Sequence, residues 1–195
     1  IGGVLIGGLY ALVAFGLSLI YGVARILNFA HGTLLAVGGV AASVLFSATQ
    51  WSPVLLIAVL IPFYLLFGAA FYDQLLRPLT RRSPFEATVG TVLVTVGALI
   101  ILSDVAGLLA GTTPKNIQIR FEALEIGEVI LSMTQVYILL GIVALTVVLH
   151  VLIKRTWFGR AMRAVTQDPV GAAICGIQAR AINASTFAFG SAVVA

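Results

Sequence analysis

The chain has 195 residues, of which 61% are apolar and 9% are charged, and its formal net charge is +4. A soluble domain carries about 25% charged residues, so this composition argues strongly against a soluble protein. The basic residues lie in short breaks between long apolar runs, a pattern typical of contact with membrane surfaces rather than nucleic acid. A helix needs roughly 20 apolar residues to cross a bilayer. We therefore predict an all-α, polytopic transmembrane helical bundle.

Six apolar segments follow one another along the chain: residues 1–22, 31–48, 53–72, 87–110, 135–153 and 183–195. The last is too short to cross a membrane, so we expect residues 1–195 to be one membrane domain of a longer protein. Lys and Arg outnumber Asp and Glu in residues 73–86 and 154–182, which predicts that both stretches are cytoplasmic.

The same alternation places the N-terminus and residues 49–52 and 111–134 outside, and the break at Arg25 inside. Within the longer external stretch, residues 116–130 fit a short hairpin or a surface helix equally well.

The break between the first two segments, residues 23–30, is the first candidate site. Arg25, Asn28 and His31 lie between two glycines in this region. One interpretation is a cytoplasmic elbow between two complete helices. The other is irregular backbone at membrane depth, which is tolerated only where it is buried in protein or lines a wet cavity. Asn28 and His31 are three residues apart, so any helical turn would place them on one face. We predict that all three residues belong to a substrate pathway.

Asp104 is a fourth candidate for that pathway. It lies about 9 Å inside the outer end of its segment, given a rise of 1.5 Å per residue. A carboxylate at this depth is expected to face the bundle interior or water, and a structural hydrogen bond is the alternative interpretation. Asp73, Glu86 and His150 lie near the inner interface, where they can reach water or form an ion pair, so no functional role is predicted for them.

Residues 154–182 form the second candidate site, since they are too many for a simple connector. Residues 157–165 are predicted to continue the preceding helix. Asp168 is a good N-cap, Pro169 suits the first helical position and Gly176 can end a turn, which together predict a short helix over residues 169–175. Such a helix could dock in a groove on another protein, or it could rest on lipid headgroups.

The sequence offers little for bond chemistry. Cys175 is the only cysteine, the two histidines are far apart, and no Lys follows a Gly as a phosphate-binding loop would require. No paired carboxylates, zinc motif or Ser/His/Asp set is apparent. We therefore expect no catalytic residues, no metal site and no cofactor in this chain.

Two stretches resemble the membrane permeases of high-affinity branched-chain amino acid ABC importers. The first continues from Gly8 to the break, which reads Tyr21-Gly-Val-Ala-Arg-Ile-Leu-Asn-Phe-Ala-His-Gly32. The second reads Thr156-Trp-Phe-Gly-Arg-Ala-Met-Arg163 and extends to Gly176. The resemblance covers nearly the whole chain, and the Asn-Phe-Ala-His-Gly form is similar to the first of the family's two permease types.

This resemblance implies a permease subunit in the bacterial inner membrane. It implies a second permease as a partner, two ATP-binding subunits that hold ATP and Mg²⁺, and a periplasmic substrate-binding protein. The carried substrates would be branched-chain or related amino acids. A urea or amide permease of the same family and an ion-coupled secondary transporter are the alternatives.

The resemblance also implies that residues 154–182 couple the permease to the ATP-binding subunits. The general importer motif is Glu-Ala-Ala-x3-Gly, but an alignment on Gly176 places Val170 at the Glu position and Gly171 at the first Ala. The implied coupling residues are Gly159, Arg160, Arg163, Asp168, Pro169, Gly171, Ala172, Ala173 and Gly176.

Overall fold

A computed structural model describes residues 2–111, 123–126 and 129–194 of the chain. The prediction of an all-α membrane protein is confirmed, since five helical stretches are long and apolar enough to span a membrane. The α-helices of the described residues are α1 (Gly2–Ala24), α2 (His31–Thr49), α3 (Pro53–Phe71), α4 (Pro84–Ala110), α5 (Met133–Arg155), α6 (Trp157–Gln167), α7 (Pro169–Ile174) and α8 (Ala179–Val193).

The link between α3 and α4 is itself structured. A π-helical turn (Tyr72–Leu76) continues α3, and a 3-10 turn (Leu79–Arg81) follows it. Helix α4 then begins three residues earlier than predicted, because Ser83 and Glu86 form a reciprocal capping box and Pro84 occupies the first turn.

Helix α8 lies between α1 and α3 and holds them together through close backbone contacts. A Cβ atom on Gly68 of α3 would lie 2.8 Å from the Ala188 Cα of α8, and one on Gly190 would lie 3.1 Å from the Gly16 carbonyl of α1. Only glycine allows helices to approach this closely, as small residues do in membrane bundles. The rings of Phe71 and Phe187 stack beside these contacts, with centroids 5.7 Å apart.

The stretch of residues 111–134, which is predicted to be external, contains a hairpin rather than a helix where it is described. Strands β1 (Ala123–Ile126) and β2 (Val129–Ser132) pair antiparallel, with Ala123 opposite Ser132. The hairpin interpretation is therefore correct for this part. The predicted residues 116–122 and 127–128 lie outside the described residues.

The prediction that residues 157–165 continue the preceding helix is wrong. Helix α5 ends at Arg155, the chain bends at Thr156, and α6 starts as a separate helix. The Thr156 side chain caps α6 by accepting a hydrogen bond from the Gly159 N–H at 3.3 Å. The amphipathic face of α6 turns back toward α1 and α8, where it buries Ala161, Met162 and Val165.

Candidate functional site: a buried helix break and a projecting short helix

The break between α1 and α2 is irregular backbone anchored to three helices. The Thr95 hydroxyl of α4 lies 3.3 Å from the Leu27 carbonyl, and its single proton is shared between this carbonyl and the Val92 carbonyl of its own helix at 3.1 Å. The His31 Nε2 atom lies 3.1 Å from the Val13 carbonyl of α1. The hydroxyl of Tyr64 on α3 donates to the Leu34 carbonyl at 2.9 Å, one turn into α2. These contacts fix the start of α2 against the rest of the bundle.

The same contacts place the break at membrane depth. Thr95 lies about 16 Å along α4 from Pro84, close to the middle of that 27-residue helix, and Val13 lies at the middle of the 23-residue α1. Arg25 adopts a left-handed φ of 56° and borders a cavity with Thr80 and Pro84, at the end of the bundle where α4 begins. The chain thus changes direction at Arg25 and runs beside α4 as irregular backbone, so α2 starts about halfway along α1 and α4.

Asn28 is the one predicted pathway residue that lines an internal gap. It is 3% exposed, and its Oδ1 atom accepts a hydrogen bond from the Ala30 N–H at 3.1 Å. This bond identifies Nδ2 as the free end of the amide, and Nδ2 has no partner among the described residues. The gap beside it is too narrow for a water molecule and is lined mainly by apolar side chains: Ala30, Leu34, Phe67, Phe71, Leu102 and Phe187. An amide donor therefore sits at a closed, apolar constriction.

His31 holds helices together instead of lining that gap. A Cβ atom on Gly16 would lie 2.8 Å from His31 Nε2, so the imidazole fills the space that this glycine leaves at the α1–α8 crossing. Asn28 precedes α2, and its carbonyl accepts the His31 N–H at 3.2 Å. This bond closes a turn between the two residues, and both side chains are buried, but only Asn28 lines the gap.

Asp104 does not join the other three pathway candidates. Leu102 lines the gap beside Asn28, and two residues of helix turn the chain by about 200°, which places Asp104 on the other side of α4. Its side chain is exposed on the surface of the described bundle and is not buried within it.

The corner between α5 and α6 depends on Gly159 and two arginines of the predicted coupling set. A Cβ atom on Gly159 would lie only 1.8 Å from the Ile153 carbonyl oxygen of α5, so no other residue fits without a shift of the helix. Arg163 donates to that same carbonyl at 2.6 Å, and Arg160 donates to the Arg155 carbonyl at 3.3 Å. Both guanidinium groups satisfy carbonyls that the end of a helix leaves without partners.

Helix α7 is short, well capped and projects from the corner. Asp168 accepts a hydrogen bond from the Val170 N–H at 2.9 Å. A Cβ atom on Gly171 would lie 2.6 Å from the Asp168 carboxylate, so the glycine leaves room for the cap. At the other end, Gly176 has a φ of 79° and the Ile177 N–H bonds to the Ala172 carbonyl at 2.9 Å, which forms a Schellman motif. Both ends of α7 are thus stopped by the residues predicted to stop it.

The sequence of the chain matches one protein family along its entire length. The family model described as branched-chain amino acid transport system, permease component, matches residues 1–195. The chain belongs to this family. The permease is 26% identical over 207 residues to the high-affinity branched-chain amino acid transport system permease protein BraD of Pseudomonas aeruginosa, an alignment that covers 100% of this chain and 67% of that protein.

Two further relatives give the same picture. The permease is 26% identical over 210 residues to the high-affinity branched-chain amino acid transport system permease protein LivH of Salmonella typhimurium, which covers 99% of this chain and 66% of that protein. It is 28% identical over 184 residues to the probable branched-chain amino acid transport permease protein LivH of Methanocaldococcus jannaschii, with 90% and 56% covered. The chain thus spans about two thirds of the length of the first relatives it matches. No solved structure matches it significantly.

The exposed face of α7 contains residues that the sequence pattern did not single out. Val170 is 69% exposed and Ile174 is 83% exposed, whereas Ala172, which was predicted to take part in coupling, is 5% exposed and packs against α6. The permease therefore presents two large apolar side chains at the projecting end of α7. The sequence could have indicated this pair, since a spacing of four residues places both side chains on one face of a helix.

Asp73 is a third residue to which the sequence pattern assigned no functional role. Its Oδ1 atom accepts a hydrogen bond from Arg180 Nε at 3.2 Å and lies 3.6 Å from an Arg77 nitrogen. This contact joins the two basic stretches of the permease, residues 73–86 and 154–182, at the same end of the bundle. A pair separated by 107 residues leaves no local pattern in the sequence.

Proposed function

We propose that this chain is the membrane permease subunit of an ATP-driven ABC importer in the bacterial inner membrane, and that it moves branched-chain or related amino acids. Its partners would be a second permease, two ATP-binding subunits and a periplasmic substrate-binding protein. Family membership over residues 1–195 supports this proposal, as do the names of the relatives. The substrate and the partners are part of the proposal, because the chain spans only about two thirds of the length of those relatives.

The observation that carries the proposal is the exposed apolar tip of α7. Val170 and Ile174 project from the end of the bundle that also carries Arg25, Arg163 and Arg180. The excess of basic residues predicts that this end is cytoplasmic. Large apolar side chains on a capped helix in water are typical of a helix that docks in a groove of a partner. The ATP-binding subunits supply that groove in this proposal.

The proposed mechanism is alternating access without bond chemistry in this chain. ATP and Mg²⁺ are held by the partner subunits, whose closure displaces α7 and the α5–α6 corner. The movement would widen the apolar constriction beside Asn28, whose free Nδ2 can then donate to a carboxylate or carbonyl oxygen of the substrate. Arg25 would meet the substrate at the cytoplasmic end of the break, and Asp104 would face the external part of the path. His31 would support the break from the α1–α8 crossing.

Reconstitution of the full transporter in vesicles tests the transport function. We expect uptake of leucine, isoleucine or valine to require both ATP inside and the loaded binding protein outside. Uptake that is driven by an ion gradient alone would refute the proposal and favour the secondary transporter. Uptake of urea or acetamide in place of the aliphatic amino acids would identify the alternative substrate class.

A charge on the exposed tip of α7 tests the docking role. We expect Ile174→Glu to abolish stimulation of ATP hydrolysis by the loaded binding protein, because a carboxylate cannot be buried in an apolar groove without a partner. Phe85→Glu is a matched control, since Phe85 is 79% exposed at the same end of the bundle but lies outside α7. Normal stimulation in the Ile174→Glu complex, with both variants inserted and assembled, would contradict the docking role.

A further inference from the structure

Asp73 makes an ionic contact between the first turn of α8 and the π-helical turn that continues α3. Arg180 belongs to the first turn of α8, and Asp73 belongs to the π-helical turn Tyr72–Leu76. The α8 entrance is thus held to the π-helical turn by this ion pair.

The entrance of α8 is in turn connected tightly to α7. Four residues lie between the two helices, Cys175 to Gln178, and the Schellman motif fixes Gly176 and Ile177 among them. Ala172 of α7 and Ile182 of α8 pack into one apolar cluster with α6. A displacement of α7 therefore cannot be absorbed within this short link and reaches Arg180 directly.

On its other side, the π-helical turn packs against the helix break. Leu76 is fully buried in a cluster with Ile26 of the break, Ile20 of α1 and Phe187 of α8. The turn is wide, since the Arg77 N–H bonds to the Tyr72 carbonyl at 2.8 Å, five residues back. π-helical turns occur mostly within α-helices and frequently at functional sites. A continuous chain of contacts therefore connects α7 with the break: α7, Arg180, Asp73, Leu76 and Ile26.

We propose that Asp73 is a positioning residue that transmits the movement of α7 to the helix break through its ion pair with Arg180. This inference rests on the proposed importer function. The Asp73 and Arg180 side chains are 37% and 58% exposed, and exposed ion pairs contribute little to stability. The pair is instead suited to holding the start of α8 in one position relative to the π-helical turn. Among the described residues, it is the ionic contact between the two basic stretches. Removing it should therefore leave the fold intact and weaken the coupling.

The experiment compares three variants of the reconstituted transporter. Asp73→Asn and Arg180→Gln each remove the charge pair between segments, and both should lower the substrate moved per ATP hydrolysed by about fivefold or more, the range of ordinary coupling between sites. Arg77→Gln is the matched control, because Arg77 contacts the same carboxylate from within the same turn, and it should keep the wild-type ratio. The reversed pair Asp73→Arg with Arg180→Asp should restore the ratio to within about twofold of wild type, as expected for interacting sites.

A second readout does not depend on transport. With Cys175→Ser as the background, Leu27→Cys reports the accessibility of the break to a small thiol reagent in membranes. Asp73→Asn and Arg180→Gln should change its labelling rate by severalfold, whereas Arg77→Gln should not.

The outcomes separate the two proposals. A wild-type complex without uptake that depends on ATP and the binding protein refutes the importer function, and the labelling rates then decide the role of Asp73 alone. Wild-type transport ratios and wild-type labelling in Asp73→Asn and Arg180→Gln would overturn the inference. Equal loss in Arg77→Gln, or loss of assembly without rescue by the reversed pair, would overturn it as well, since either result indicates a structural role.

Discussion

Gly159→Ala should open the corner between α5 and α6. The added methyl group would lie 1.8 Å from the Ile153 carbonyl oxygen, 2.4 Å from the carbonyl carbon and 2.6 Å from Cα, all backbone atoms that cannot rotate away. Helix α6 must therefore move by more than 1 Å, which is roughly the difference between this distance and an ordinary van der Waals contact. Such a shift breaks the Thr156 cap and the bond from Arg163 to the Ile153 carbonyl.

The magnitude follows from those two contacts. An N-cap contributes about 1 kcal/mol. A hydrogen bond from an exposed guanidinium group contributes about 1 kcal/mol after solvent screening. Their combined loss of about 2 kcal/mol raises the population of the open corner roughly 30-fold.

Limited trypsin digestion of the permease in membranes measures that population, because Arg160 and Arg163 lie on α6. We expect cleavage at these residues to accelerate about 30-fold if opening and closing are faster than cleavage. Gly141→Ala in α5 is the control, since its Cβ meets nothing within 4 Å and a helix gains from the change. Equal cleavage rates in the two variants would refute the assignment of the corner to Gly159.

Three further outcomes test the bundle and the break. Gly16→Ala should destabilise the permease by about 1–3 kcal/mol in thermal unfolding in detergent, because the added methyl meets the imidazole at 2.8 Å, whereas Gly7→Ala, which meets nothing within 4 Å, should not. Thr95→Val should cost about 1–3 kcal/mol in the same assay, because it leaves a carbonyl of the buried break without its donor. Asn28→Leu removes the free donor at the gap, so it should transport poorly, and wild-type uptake by an inserted and assembled Asn28→Leu complex would exclude Asn28 from the pathway.

The break shows where sequence reasoning stops. Polar residues between two apolar runs predicted a functional segment, and the composition alone left an elbow and a membrane-depth break open. The hydrogen bond from Thr95 to the Leu27 carbonyl decides the depth, since it joins the break to the middle of α4 across 68 residues of sequence. No local sequence pattern predicts a contact between residues so far apart in the chain.

In the coupling segment, residues 154–182, the sequence likewise predicted the local features but not those that depend on packing. Asp168, Pro169 and Gly176 predicted the ends of α7 because caps are local, with each partner only a few residues away. The separate α6 was not predicted, since an apolar run across Thr156 reads as one helix until Gly159 meets the Ile153 backbone. Which side of α7 is exposed depended on the packing of Ala172 against α6.

What the sequence by itself determined is the membrane class, the all-α architecture and the family, because hydrophobic length, charge placement and short motifs are properties of contiguous residues. Tertiary structure alone decided that α8 lies between α1 and α3, that the break reaches mid-depth, and that Asp73 meets Arg180. The physical reason is that a helix in lipid is apolar on every face, so its sequence hardly indicates which face packs against a neighbouring helix. Close packing at glycines and a few buried polar contacts make that choice.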